Sequence, residues 1–442
     1  MVGRRLVRSW LSLLVAVSLP ACHSSPAASL DAAAEFYVRV VLALGERDAD
    51  SLDTYYGPGA WQAEARARHL SLDDIRAATV PFIASLDERP SYNAEAEGRR
   101  RFLLRQTRAI VSRVDIVRGA RPSFAEEART LFGLVGPDGQ DGREGPDRQD
   151  GRDGQERAVR SELERLLPGT GDLSARYADF DRRFLIPRDR LAAVVSRAIE
   201  GCRAATRKHV TLPPGERVDV EYVPDLAWSA FTRYQGHSTS RVQINRALPL
   251  TVDRALDLAC HEAYPGHHAI DSLLDARFGG RRLEFVVRPL FSPQSMLHEA
   301  AASLAGEMAF PEPARLAFER DELFPLSGLD PSDATRYVRV ARLVDQLDGV
   351  QARVAQQYLD GQLDFPRAAA ALERDALRPS ADATLKFLNQ FRSYAATYTI
   401  GRDALSRYLN AHSTADDAAS RWRAYINVVT DGSQVVPFPP SK

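Results

Sequence analysis

The sequence is short of cysteine, methionine and lysine: it has three cysteines and three methionines, and lysine stands only at positions 208, 386 and 442. So few cysteines exclude a disulfide scaffold. Charge of one sign is also missing, because Lys+Arg 58 nearly cancels Asp+Glu 59 and leaves a formal net charge of -1. That balance gives no general attraction to nucleic acid, and the arginines are interleaved with acids rather than gathered into a basic face. The one pronounced apolar run, Trp10 to Leu19, is too short to cross ~30 Å of hydrocarbon as a helix. What remains is a chain of 442 residues, 44% of them hydrophobic. Such a chain can bury a sizeable core, and its length suits either two or three domains or one large enzyme-sized unit.

The first residues set the compartment. Arg4, Arg5 and Arg8 precede the apolar run, and Leu19-Pro20-Ala21-Cys22 follows it, which is the plan of a secretory signal. Leu-Pro-Ala-Cys resembles the bacterial lipoprotein processing box. The resemblance implies a signal peptide over 1–22, lipidation of Cys22 and a soluble domain held at a membrane by acyl chains. His23 stands where an aspartate is absent, which favours the outer membrane, facing the periplasm. Residues 23–30 read as a tether. Cys202 and Cys260 then remain in a compartment where a disulfide survives, and both a bridge and two buried small residues fit.

Helical periodicity dominates the rest. Ala33, Phe36, Tyr37, Val40, Val41 and Leu44 recur at helical spacing before Gly45, and similar patterns run over Phe102 to Val114, Ser161 to Leu167, Leu191 to Ala205, Val340 to Tyr358 and Phe387 to Leu409. The predicted fold is mainly α, a large helical framework with a small β-sheet next to the segment 260–268. We divide it into a helical region over 31–216 and a catalytic region over 217–442. Two stretches interrupt the pattern. Gly136 to Asp153 is a near-repeat, GPDGQDGRE then GPDRQDGRD, with nothing to bury, and it predicts a disordered Gly/Asp-rich insertion over 136–156. The alternation of Val218, Val220 and Tyr222, with strand-like runs at Ala230 to Tyr234 and Arg241 to Asn245, predicts a small sheet just before the segment that carries the chemistry.

That segment is Cys260-His261-Glu262-Ala263-Tyr264-Pro265-Gly266-His267-His268. Thr251 can cap a helix whose apolar residues Ala255, Leu256 and Ala259 lead into it. A His-Glu pair with a second histidine one turn on is how zinc hydrolases place metal and general base on one helix face. Here the spacing is longer. At about 100° per residue a straight helix turns His267 about 120° away from His261, and carries His268 ~10.5 Å further along. Pro265 and Gly266 permit an irregular turn that returns a histidine to the metal, His267 by looping out two residues or His268 by three. A carboxylate from a second helix would complete a site with one open position. Ser295 to Ala302 reads as a small-residue helix offering Glu299, with Glu307 as competitor and His298 on another face, second-shell or exposed.

His-Glu-Ala-Tyr-Pro-Gly-His-His resembles the signature of the bacterial domain-of-unknown-function family 885, whose members include lipoproteins and are similar to gluzincin-type zinc metallopeptidases. Glu299-Ala300-Ala301-Ala302-Ser303-Leu304 matches the place of that family's Glu-Gly-Trp-Ala-Leu-Tyr, keeping the glutamate and losing both aromatics. Arg339 to Asp345 and Tyr398-Thr399-Ile400-Gly401 are similar to later family segments. The resemblance implies a zinc-dependent hydrolase, a metallopeptidase acting on peptides. It would hold one Zn²⁺ on His261, His267 and Glu299, with Glu262 as general base. Tyr398 is the candidate donor to the oxyanion, although Tyr394, Tyr398, Phe387 and Phe391 also suit a core stripe. Arg241 and Asn245 lie on a strand whose edge could pair with an extended substrate, a plain structural strand being the other reading. Two further functions fit: a metal-free envelope lipoprotein acting as a binding module, and a zinc hydrolase of non-peptide amides.

Overall fold

A computed structural model describes residues 26–88, 93–134, 146–224, 226, 228–414 and 417–433. The signal peptide, Cys22 and the start of the tether lie outside the described residues. The tether is shorter than expected, because the helix Pro26–Gly45 opens inside it, with a proline at its first position and alanines after it. No helix among the described residues is long and apolar enough to cross a membrane.

The fold is mainly α with two small sheets. Most predicted helices are present. Helices Pro26–Gly45, Ala94–Val117 and Leu191–Arg207 cover three of the patterns. Two long patterns break. Val340 to Tyr358 divides into Ala334–Asp345 and Asp348–Leu359, and Phe387 to Leu409 is interrupted between Phe391 and Arg402, where Arg392 has φ 51 and Thr397–Gly401 form a wider, π-type turn. Of the expected Gly/Asp insertion, residues 136–145 lie outside the described residues. The rest is not irregular, since Pro146–Leu166 is one helix. Its later half explains this: Val159 and Leu163 are buried one turn apart, and Glu156 meets Arg353 at 2.8 Å.

The core forms two apolar clusters, and each mixes residues from both halves of the chain. One joins Tyr37 and Phe102 to Leu297 and Tyr425, and the other joins Leu163 and Val194 to Leu256 and Leu343. The helix Pro293–Ala309 contributes Leu297 to the first and Ala305 to the second, and it is buried along almost its whole length. Ser292 caps it, accepting from the Ser295 amide at 3.1 Å, with Pro293 at its first position. Its small residues admit neighbours closely, so that a Cβ on Gly306 would lie 2.9 Å from Asp257.

The larger sheet has three strands, with Thr239–Asn245 in the middle, parallel to Arg217–Val223 and antiparallel to Ala230–Tyr234. This corrects the reading of Arg241 and Asn245. A middle strand has both edges paired and cannot take a further strand. Leu52–Tyr55 pairs with Val287–Pro289 in a second, two-stranded sheet.

Candidate metal centre

The helix Val252–Glu262 ends on the two residues that matter. Thr251 sits at its N-cap position, but its hydroxyl donates to Asp253 at 2.6 Å rather than accepting from the backbone. At the other end the chain does not bulge as expected; the helix stops. A cis Tyr264–Pro265 peptide follows, and a new helix, His267–Phe278, begins after Gly266. Proline explains the stop, since it has no N–H and its ring collides with the carbonyl of residue 261. Gly266 explains how close the restart lies. Its amide donates to the Cys260 carbonyl at 3.0 Å, and a Cβ there would fall 1.8 Å from the His261 carbonyl oxygen. The Ala269 amide then reaches back to Ala263 at 3.1 Å. The two helix ends are thereby laced together, with His261 on one and His267 on the other.

Their rings stand nearly perpendicular with centroids 4.8 Å apart. Glu299, from the middle of the buried helix, lies against both: His261 Nε2 is 3.3 Å from its Oε2, and His267 Nε2 is 3.2 Å from its Oε1. Ligand atoms of the three residues all fall within 4.8 Å of one another. The donor set suits zinc, for which four ligands at about 2.1 Å in a tetrahedron are separated by roughly 3.4 Å. Glu299 Oε2 is buried and has no hydrogen-bond partner among the described residues, so it keeps a lone pair for a cation. Electrostatics agree. Burial disfavours charge on both partners, yet the Glu299 carboxylate raises the His267 imidazole to about 9, and the two imidazoles hold Glu299 well below the ordinary carboxylate range. Without an ion, the cluster keeps a proton in its place.

The surrounding groups fix these donors. The Tyr394 hydroxyl donates to Glu299 Oε1 at 2.6 Å. Asp271, one turn beyond His267, accepts on Oδ1 from Arg288 at 2.5 Å, and its buried Oδ2, like His267 Nδ1, has no hydrogen-bond partner among the described residues. Glu262 is buried, with its Oε2 2.6 Å from the Thr232 hydroxyl. Tyr398 lies on the wide turn with its ring centroid 6.1 Å from that of His261, and it also lines a cavity of about 1690 Å³ bordered by Glu307, Arg342, Asp345 and Arg402. Burial, then the Glu299 and Glu262 carboxylates, push its phenol well above the ordinary value, so it holds its proton.

Other candidates stand apart. His268 has both ring nitrogens engaged, Nδ1 by Ser240 at 2.8 Å and Nε2 by Glu216 at 3.1 Å. Burial alone would raise Glu216, but His268, Tyr264 and Arg203 hold it at about 2. His298 is buried rather than exposed, its Nδ1 2.6 Å from Arg288, with Asp271 nearby at 3.6 Å. Glu307 is exposed and pairs with Arg402. Asn245 is occupied by the loop between the strands Arg217–Val223 and Ala230–Tyr234, donating to Leu226 and Trp228 carbonyls at 2.8 and 3.0 Å, while Arg241 is exposed and faces Glu221 at 3.9 Å. Cys202 and Cys260 form a disulfide, tying the helix Leu191–Arg207 to the residue before His261. Sequence reasoning overlooked Thr232 and Asp271. Nothing in a strand pattern marks Thr232, whereas the four-residue spacing from His267 could have signalled Asp271.

No family model matches the sequence, and no curated protein matches it either. Among solved structures the chain is similar to a lipoprotein of unknown function from Shewanella oneidensis, with 13% identity, TM-score 0.47, and 86% of this chain and 74% of that chain covered. It is also similar to a carboxypeptidase from Pyrococcus furiosus (12% identity, TM-score 0.41, 93% and 90% covered) and to metallocarboxypeptidase 1 of Trypanosoma cruzi (14% identity, TM-score 0.43, 93% of each covered).

Proposed function

We propose that the chain is a zinc-dependent hydrolase, and within that class a metallopeptidase. The observation that carries this reading is the convergence of His261, His267 and Glu299 from three helices, with the buried Glu262 carboxylate following directly on His261. The signature resembling family 885 supports the same reading. Zinc held there would acidify a water and polarise the scissile carbonyl. Glu262 takes the proton of the attacking water and passes it to the leaving amine, so the C–N bond breaks to give one carboxylate and one amine. Tyr398, with its proton retained, donates to the oxygen that gains charge. The strand Ala230–Tyr234, and not Thr239–Asn245, offers an edge for an extended substrate. The flanking residues Ser229 and Gln235 hydrogen-bond the middle strand or its end, so the N–H and C=O groups of Ala230 and Thr232 turn the other way.

Metal analysis of the purified protein, paired with a peptide-library digest, tests this. One zinc per chain and peptide cleavage are expected. Glu262→Gln should keep the metal and lose turnover, and His261→Ala should lose the metal. A metal-free protein, or full activity in Glu262→Gln, would overturn the reading. We also propose, from the first 22 residues, a lipid-anchored protein of the cell envelope, in the outer membrane and facing the periplasm. Palmitate labelling that is unchanged in Cys22→Ala would refute the anchor.

A further inference from the structure

Glu262 must present its carboxylate in one direction, yet it is the last residue of its helix, where the backbone carbonyl has no partner further along. Both needs meet at one atom. Thr232 Oγ1 lies 2.8 Å from the Glu262 carbonyl oxygen and 2.6 Å from Glu262 Oε2. A hydroxyl has one hydrogen, so the two acceptors share it, and the carboxylate is held folded toward its own main chain. Thr232 is itself fixed. It is buried in the strand Ala230–Tyr234 opposite Val242, and two residues along the same face Tyr234 donates to Asp275 at 2.7 Å on the His267 helix. The strand therefore stands at a set distance from both helices.

We infer that Thr232 is a positioning residue for Glu262, holding the general base in one rotamer from the neighbouring strand. The inference rests on the hydrolase reading above, which assigns the base. A helix-capping role alone would predict a change in stability and nothing more. A positioning role predicts that the turnover number falls while substrate and metal still bind, and that a smaller hydroxyl residue restores it.

The test uses the full chain loaded with zinc and the best substrate from the library digest. Thr232→Val should lower kcat about 10- to 100-fold with KM within about 2-fold and zinc content unchanged, and Thr232→Ser should return kcat to within about 3-fold of the parent. A readout without turnover accompanies it: in crystals of metal-free Thr232→Val the Glu262 carboxylate should leave its position, and in Thr232→Ser it should stay. If Thr232→Val does not fold, Thr232→Ala carries the same expectations. Parental kcat in Thr232→Val while Glu262→Gln is dead would overturn the inference, as would a defect confined to KM or zinc content, or a Glu262 carboxylate that does not move. Loss of the hydrolase reading looks different, with no zinc or no effect of Glu262→Gln, and the crystallographic comparison then still decides whether Thr232 holds Glu262.

Discussion

Tyr394 donates its phenolic hydrogen to Glu299 Oε1 at 2.6 Å, a contact that helps to orient the carboxylate between two imidazoles. Burial first, then the Glu299 charge, push the phenol well above its ordinary value, so it acts only as a donor. Removing it should leave Glu299 buried, charged and free to rotate. Tyr394→Phe is therefore expected to weaken zinc binding about 10- to 100-fold, with the fold kept because the ring still packs on Phe132, Phe291 and Phe391. Competition with a chelator of known affinity measures this. Unchanged affinity would show that Glu299 needs no orienting partner.

The break between the helices Val252–Glu262 and His267–Phe278 makes a second prediction. A Cβ on Gly266 would lie 1.8 Å from the His261 carbonyl oxygen and 2.5 Å from that of Cys260, both backbone atoms that cannot yield without moving His261 and the helix end it sits on. Gly266→Ala should destabilise the chain by more than about 3 kcal/mol and lower zinc content with it. Gly59, at the start of the helix Gly59–Arg68, has nothing among the described residues within 4 Å of its Cβ position. Gly59→Ala is expected to be neutral or to stabilise by up to about 1 kcal/mol. Denaturant titration of both variants separates a local clash from a general intolerance of added methyls.

Much of this site could be read from residue order alone, because its donors announce themselves. Histidines and glutamates are rare in buried helices, so His261, Glu262, His267 and Glu299 stand out, and Pro265 forces the break that lets two of them meet. Groups that merely hold those donors do not stand out. Tyr394 and Tyr398 share the spacing of a core stripe, and only the wide turn at Thr397–Gly401, which periodicity cannot register, separates their roles. Strand order escaped for a similar reason. Three short strands can be ordered several ways, and their alternation does not say which one lies in the middle, the place Thr239–Asn245 takes. Helical propensity likewise gave no warning that the helix read over Ser161 to Leu167 would extend back through Val159 and Glu156 into a Gly/Asp repeat.

The disulfide gives a third prediction. Cys202 and Cys260 are 58 residues apart in sequence, and closing a loop of that size removes denatured-state entropy worth about 4 kcal/mol in the chain-entropy account. Replacing both cysteines by alanine should therefore lower stability by about 2–4 kcal/mol. Cys260 directly precedes His261, but the helix around it is also held by packing of Leu256 and Ala259. Zinc content at ambient temperature should stay close to one per chain in the double variant. Calorimetry with metal analysis distinguishes this from a bridge on which the metal ligands themselves depend.

Finally, the metal cluster ties stability to pH with a definite sign. Burial lowers His267, but Glu299 more than compensates and the folded imidazole titrates at about 9, above the ordinary value of 6.5. A group raised on folding contributes stability that is complete below its unfolded pKa and is lost as pH climbs through the folded one. Metal-free protein should thus lose about 3 kcal/mol between pH 6 and pH 10 as the proton shared with Glu299 departs and leaves that carboxylate buried without a cation. Zinc takes the place of that proton, so the loaded protein should show no such decline over the same range. On the acid side the order reverses, since protons displace the metal from imidazole and carboxylate, and zinc affinity should fall as pH drops below neutrality. Melting curves with and without chelator across this range are the measurement. Parallel curves for the two forms would mean that proton and metal do not compete for one site.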